Sequence, residues 1–348
     1  MTAHRLGIGF ASACAAALLA GCAVQAAPPL ATTAAAADHV RASRQPPQLS
    51  LITEPAAGIT PILNAITHAR SSIELVMYEL QDPRVQGDLV AAERRGVHVR
   101  VLLNRGYHGE RTDDGRPAFN LPAYAYLRHH RVPVRWTSSR FALTHEKSLV
   151  IDNRTAYILT FNFTARYYAT SRDFGIVDRT PKDVSAIGAT FDADWVDQNE
   201  TPSNGADLVW SPGAEGEQVS FIDHARRFLD VENEEMDDPG IDAALESAAH
   251  RGVSVRVVMT YSSAWAPAFR ALARAGVGVR TYCEDASLYI HAKLMLTPSR
   301  AFVGSQNFSP ASLDANRELG ITLTTPAILR SLANTFTSDD NGARRCTP

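Results

Sequence analysis

Two stretches of this sequence carry the same set of reactive side chains. At 291 the chain reads HAKLMLTPSRAFVGSQNF, which holds His291, Lys293, Ser305 and Asn307. At 145 it reads HEKSLVIDNRTAYILTFNF, with His145, Lys147, Thr160 and Asn162 in matching places. Each stretch is predicted to be a β-hairpin, and the Thr-Pro-Ser turn of the second copy marks its bend. Alternate side chains on a strand share a face, so each histidine points the same way as the lysine two residues on. The returning strand brings the hydroxyl and the amide beside them. An imidazole, an ammonium, a hydroxyl and an amide then converge on one anion-sized spot, twice. A carboxylate follows each asparagine eleven positions on, Asp173 in SRDFGI and Glu318 in NRELGI.

This pattern resembles the phospholipase D superfamily, whose signature is HxK, then Asp, then GSxN, present twice per active site. The second copy has HxK and GSxN but carries Pro298 where the family often has Asp. The first has HxK and Asp152 but replaces Gly-Ser with Leu159-Thr160. The resemblance implies two pseudo-symmetric α/β/α sandwich lobes with the active site at their interface. It also implies one chain carrying both half-sites, hence a monomer.

The chemistry that suits such a set is displacement at a phosphodiester. Water attacks a phosphodiester poorly, because the anionic oxygens repel nucleophiles and an alkoxide leaves with difficulty. A histidine that attacks phosphorus splits the reaction into two easier displacements. A second histidine gives a proton to the departing alcohol and later takes one from the incoming hydroxyl. Lys147 and Lys293 would neutralise the non-bridging oxygens, while Asn162, Asn307, Ser305 and Thr160 donate hydrogen bonds. Asp173 and Glu318 would each orient an imidazole and fix its tautomer. By similarity to the family, His145 is the nucleophile and His291 the general acid. Two histidines suffice, so neither metal nor cofactor is expected. The other histidine cluster, His129 and His130 with His108 upstream, has no companion Cys or acid at ligand spacing and is better read as a helix end carrying surface histidines.

The elements that must position these groups are themselves duplicated. ITHAR at 66 returns as IDHAR at 222, and ERRGVHVRVLL returns as AHRGVSVRVVM, at a constant offset of 156. Each copy reads helix, strand, helix, Gly, strand, which predicts parallel pairing in a sheet covered by helices. The first lobe is placed at 49–200 and the second at 217–338. A junction at 201–216, rich in Pro and Gly, and a tail at 339–348 complete the division. Glu79 and Glu235 stand at equivalent strand ends. They either reach the site mouth and orient a lysine or a water, or serve as solvated or structurally paired acids. His68 and His224 also recur as a pair, but their helical, apolar surroundings suggest packing. Leu159 is expected to crowd the place where the second copy has Gly304.

The chain has 348 residues, 45% hydrophobic and 20% charged, with a formal net charge of -3. That balance fits a globular protein and argues against a strongly basic nucleic-acid surface, although a local groove is compatible with it. Residues 1–21 read as an export signal, a short basic start followed by an apolar, Ala-rich run too short to span a membrane comfortably. Leu19-Ala20-Gly21-Cys22 resembles a bacterial lipobox, which implies lipidation of Cys22 and a membrane anchor in the bacterial cell envelope; the alternative is cleavage after a later alanine. Residues 22–48 read as a flexible Ala/Pro/Thr/Gln tether. Cys283 and Cys346 are left in an oxidising compartment, either bridged or unpaired.

The expected substrate is a phospholipid, cleaved by hydrolysis or by phosphatidyl transfer to an alcohol, since a tether holds the domain at high effective lipid concentration. A nuclease is the alternative, with Arg166, Tyr167, Tyr168 and Arg172 as a candidate nucleic-acid groove. A third reading, a catalytically inactive binding protein, rests on Leu159, Thr160 and Pro298.

Overall fold

The computed structural model describes residues 48–105, 119–343 and 346. The signal, the lipobox with Cys22, nearly all of the tether and His108 lie outside the described residues. Within them the repeat seen in the sequence becomes a repeat of strand order.

The first lobe runs β1 (Leu49–Glu54), α1 (Thr60–His68), β2 (Ser72–Met77), α2 (Pro83–Arg94) and β3 (His98–Leu103). It continues with α3 (Leu121–His129), β4 (Val134–Trp136), β5 (Lys147–Ile151), β6 (Thr155–Leu159), β7 (Ser171–Asp178) and α4 (Pro181–Trp195). The second lobe runs β8 (Leu208–Ser211), α5 (Ala214–Asp223), β9 (Phe228–Glu232), α6 (Pro239–His250), β10 (Ser254–Thr260), α7 (Ala266–Arg274) and β11 (Gly278–Tyr282). It ends with β12 (Tyr289–Ile290), β13 (Leu294–Leu296), β14 (Ala301–Gly304), α8 (Pro310–Asp314), β15 (Glu318–Leu323) and α9 (Pro326–Gly342).

The first sheet has the order β1-β7-β6-β5-β2-β3-β4 and the second β8-β15-β14-β13-β9-β10-β11. Read strand by strand, these are the same sheet. In both, the helical crossovers make parallel neighbours and the histidine hairpin supplies the antiparallel ones. The local signals repeat with them. Asp82 and Asp238 cap α2 and α6. Gly96 and Gly252 leave those helices at φ 88° and 83°, a left-handed conformation that favours glycine. Arg100 pairs with Glu74 as Arg256 does with Asp230.

Helices α1 and α2 cover one face of the first sheet and α5 and α6 one face of the second. The opposite faces meet. Ile158, Phe174 and Ile176 pack with Leu294, Val303, Leu319 and Ile321 in a shared core, with residues of α4 and α9 joining it. Both lobes are thus α/β/α sandwiches.

Two boundaries differ from the sequence reading. The Pro- and Gly-rich 201–216 stretch already contains β8 and the start of α5. Pro212 and Gly213 form a turn inside the second lobe, the counterpart of the turn between β1 and α1, so composition alone overstated the linker. The tail beginning at 339 is also partly structural, since α9 runs to Gly342. Asp339 and Asp340 are buried and ion-paired with Arg172, Arg256 and Arg280. Cys346 is disulfide-bonded to Cys283, fastening the end of the chain to the loop after β11.

Arg172 and Asp339 join the lobes, and their relation is reciprocal. Arg172, beside Asp173 on β7, meets Asp339 on α9, while Arg317, beside Glu318, meets Asp194 on α4. Removing one partner of such a buried pair strands the other charge. Asp339→Ala is therefore expected to lower stability by about 3–5 kcal/mol, measured from the denaturant midpoint. An unchanged midpoint would show that the clamp carries no load.

Candidate active site

The two histidines reach one cavity because each lobe lends a segment to the other. The segment before His291, β12, pairs in parallel with β7 of the first lobe, Tyr289 opposite Ser171 and Ile290 opposite Arg172. The segment before His145 does the same in return, Thr144 bridging Arg317. The backbone N–H of His145 donates to the Arg317 carbonyl at 2.9 Å, and that of His291 to the Arg172 carbonyl at 3.2 Å.

This exchange decides which acid meets which histidine. His145 Nδ1 lies 2.9 Å from Glu318 Oε2, and His291 Nδ1 lies 2.8 Å from Asp173 Oδ1. Each imidazole is oriented by the acid of the opposite copy, which leaves its Nε2 for chemistry. Asp173 is held in turn by the Thr160 hydroxyl at 2.5 Å. Glu318 accepts from the Ser312 hydroxyl and, at 3.1 Å, from Asn316 Nδ2.

Lys147 and Lys293 are fully buried beneath the histidines, and each Nζ donates to the carbonyl of its own histidine at 2.6 Å. Burial, together with the charge of Lys293, pushes the Lys147 ammonium down to about 7. Burial and the Lys147 charge hold His145 down to about 4 against the opposing pull of Glu318. His145 is a neutral imidazole at physiological pH. Burial would raise the carboxyl of Glu318, but His145, Lys147 and Ser312 outweigh it and hold it below the usual range.

Asn162 and Asn307 line the cavity, and each keeps a buried Oδ1 without a hydrogen-bond partner. Such atoms are costly unless something arrives to satisfy their amide. Thr160 and Ser305 are placed differently from the sequence expectation. The Thr160 hydroxyl accepts from Phe174 N–H at 2.9 Å and the Ser305 hydroxyl from Leu319 N–H at 3.1 Å. Both brace the strand carrying the acid, and neither lines the cavity. Glu79 and Glu235 do line it, Glu79 accepting from the Thr164 hydroxyl at 3.0 Å and Glu235 bonded to Ser309. The carboxylate that meets a lysine is Glu234, 2.9 Å from Lys293 Nζ.

The departures from the family pattern lie away from the cavity. Asp152 sits at the far end of β5 and accepts from Arg70 N–H, Ser71 N–H and Ser72 N–H, so it ties down a turn. Pro298 replaces it at an exposed bend. Leu159 does not crowd the site, because it turns into the first-lobe core opposite Gly175, which has no side chain to obstruct it. Opposite Gly304 stands Gly320, and a Cβ on either would meet the Phe302 ring under 3 Å.

Tyr167 and Tyr168 line the cavity, but Arg172 belongs to the lobe clamp and Arg166 stacks on Tyr167. His129 ends α3, as read. His68 and His224 are exposed rather than packed, each bonded to a carbonyl one turn back in its own helix. Arg317, Tyr78, Tyr289 and Glu234 are absent from the sequence reading, and Arg172 figures there only in the alternative nucleic-acid groove. The two arginines were visible as the RD and RE of the repeated motif; Tyr78 and Glu234 are a mismatch in the repeat, which a search for matches passes over.

Two histidines on one cavity, each backed by a buried lysine and accompanied by an asparagine, are the arrangement of the phospholipase D class. The chain matches the family described as "Cardiolipin synthase, PLD-like domain" over residues 62–195 and 219–339 and belongs to it, within the phospholipase D superfamily. A similar relative is cardiolipin synthase A of Pectobacterium carotovorum subsp. carotovorum (strain PC1), 27% identical over 332 residues. That alignment covers 79% of this chain and 65% of the relative, so the chain spans less than two thirds of the relative's length. Among solved structures, phosphatidylserine synthase of Haemophilus influenzae Rd KW20 superposes with a TM-score of 0.64 at 14% identity, covering 85% of this chain and 86% of the other. Polyphosphate kinase of Porphyromonas gingivalis gives a TM-score of 0.63 at 15% identity, covering 83% and 46%. These two show the shared fold.

An imidazole can attack phosphorus only without a proton on the attacking nitrogen, which sets the acid side of the pH profile. kcat/KM is expected to rise with pH through about 4, the value at which His145 loses its proton. Glu318→Gln removes the acid that fixes the His145 tautomer and is expected to lower kcat by about 10²–10⁴-fold without raising that limb. A limb near the ordinary histidine value would contradict the buried, neutral His145.

Proposed function

We propose that this protein cleaves the headgroup phosphodiester of zwitterionic phospholipids through a phosphohistidine, passing the phosphatidyl group to water or an alcohol. The observation that carries this reading is the wall of the cavity. Its volume is about 680 Å³, and among the described residues its lining holds five acidic side chains, Glu54, Glu79, Asp173, Glu234 and Glu235, of which burial raises Glu54 to about 7 and raises Glu235, but no lysine or arginine. Tyr78, Phe161, Tyr167, Tyr168 and Tyr289 supply aromatic surface beside them. A nucleic acid brings a phosphate at every residue and needs a basic track. This wall instead suits one phosphate with an apolar body and a cationic group, which aromatic faces and carboxylates attract.

The relative named as a cardiolipin synthase also points toward phospholipid. No described helix is long and apolar enough to cross a membrane. Attachment through a lipidated Cys22, placing the domain on a membrane of the cell envelope, is part of the same proposal.

The test uses full-length chain in EDTA, with His145→Ala and His291→Ala as controls, offered phosphatidylcholine vesicles and single-stranded DNA in parallel. Choline release lost in both variants is expected, and added short-chain alcohol should yield the corresponding phosphatidyl alcohol. Cleavage of DNA alone would replace this reading with a nuclease.

A further inference from the structure

The duplication gives the two halves of the site the same plan, and one place where they part lies beside the histidines. By the offset of 156 that relates the β2 and β9 units, Tyr78 corresponds to Glu234. In the first half the Tyr78 ring stands edge-on to His145, centroids 4.6 Å apart, with Lys147 Nζ 4.9 Å from its centre. In the second half the carboxylate of Glu234 takes that place. Its Oε2 lies 2.9 Å from Lys293 Nζ and 3.4 Å from His291 Nε2, and the Tyr289 hydroxyl donates to its Oε1 at 2.8 Å. His291 therefore has a carboxylate at each ring nitrogen, Asp173 at Nδ1 and Glu234 at Nε2. His145 has one, Glu318 at Nδ1.

We propose that Glu234 is the positioning residue that divides labour between the histidines: its carboxylate at Nε2 sets His291 as the general acid, while Tyr78 at the twin position leaves His145 as the nucleophile. The Nδ1 contact to Asp173 is a hydrogen bond at 2.8 Å, and the 3.4 Å contact to Glu234 is a charge contact that faces the nitrogen from which a general acid must give its proton. The groups facing His291 are Asp173 from β7, Glu234 from the segment after β9, and Tyr289 and Lys293 from its own segment. His145, Glu54, Glu79 and Glu235 share the cavity. Burial would raise the carboxyl of Glu234, but His291 and Lys293 outweigh it and hold it well below the usual range.

In the first step the His145 Nε2 lone pair forms the P–N bond as the P–O bond to the departing alcohol breaks, and the His291 Nε2 proton moves to that oxygen. In the second, neutral His291 takes the proton of the acceptor hydroxyl. The acceptor oxygen forms the new P–O bond, the P–N bond breaks, and its electron pair returns to His145. Glu234, with a quarter of its side chain exposed at 24%, has room to yield Lys293 and Nε2 to the substrate.

The inference rests on the two-histidine chemistry of the proposed function, and the test separates the two. Wild type, Glu234→Gln and Tyr289→Phe are compared on phosphatidylcholine vesicles and on bis(4-nitrophenyl) phosphate. Choline leaves only with a proton, whereas nitrophenolate leaves without one. Wild-type turnover of the aryl diester checks the phosphodiesterase itself. If the aryl diester is cleaved and the vesicles are not, the lipid reading fails and single-stranded DNA becomes the alkyl-leaving probe. Glu234→Gln is expected to lose at least about tenfold more rate on the alkyl-leaving substrate than on the aryl one. The basic limb of kcat/KM should also fall by about one pH unit. Tyr289→Phe, which frees one Glu234 oxygen while keeping its charge, should shift the substrate ratio in the same direction by less and should not lower the basic limb. Equal losses on both substrates, or an unmoved basic limb in Glu234→Gln, would overturn the proposal.

Discussion

The reciprocal exchange of a strand segment between the lobes is the constraint on which the rest of this molecule depends. Thr144 bridges the second lobe and Tyr289–Ile290 pairs with the first. Without that crossing, neither histidine would have an acid at its Nδ1, because the carboxylate eleven residues beyond each asparagine serves the other copy's histidine. The residues next to those acids then do mechanical work, Arg172 and Arg317 each locking onto the last helix of the opposite lobe. Neighbouring side chains on β7 and β15 thus hold the lobes together and orient the imidazoles. Catalytic geometry and lobe docking cannot vary independently.

The same arrangement explains how so much charge can be buried. Lys147, Lys293, Asp173 and Glu318 are all nearly inaccessible. Each is bonded to a backbone or side-chain partner, which offsets the cost of desolvation only because the two halves interlock. A buried ammonium is more responsive to an arriving phosphate than a solvated one, since little water screens the interaction. Placed on a duplicated frame, a single unmatched pair such as Tyr78 and Glu234 is enough to make two like histidines unlike.

Much of this was legible in the sequence, and the reason is the repeat. The constant offset fixed the strand-helix units, and HxK with its distant asparagine and acid marked the reacting groups. Periodicity could not show which acid meets which histidine, because the pairing crosses between copies. Composition misled at 201–216, where Pro212 and Gly213 are a turn within a lobe, and at 339, where two aspartates that read as tail are buried ion-pair partners. Leu159 looked obstructive because its neighbour across the sheet, Gly175, lies sixteen residues away in sequence. Thr160 and Ser305 were placed among the phosphate donors by type. In the fold their hydroxyls face backbone N–H groups instead.

The most direct test of two histidines acting in succession is the stereochemical course at phosphorus. A diester made chiral at phosphorus by isotopic or sulfur substitution is turned over and the product configuration determined. Two in-line displacements through a phosphohistidine predict overall retention. Inversion would mean a single displacement by water or alcohol, and would contradict the account in which one histidine attacks and its twin supplies the proton.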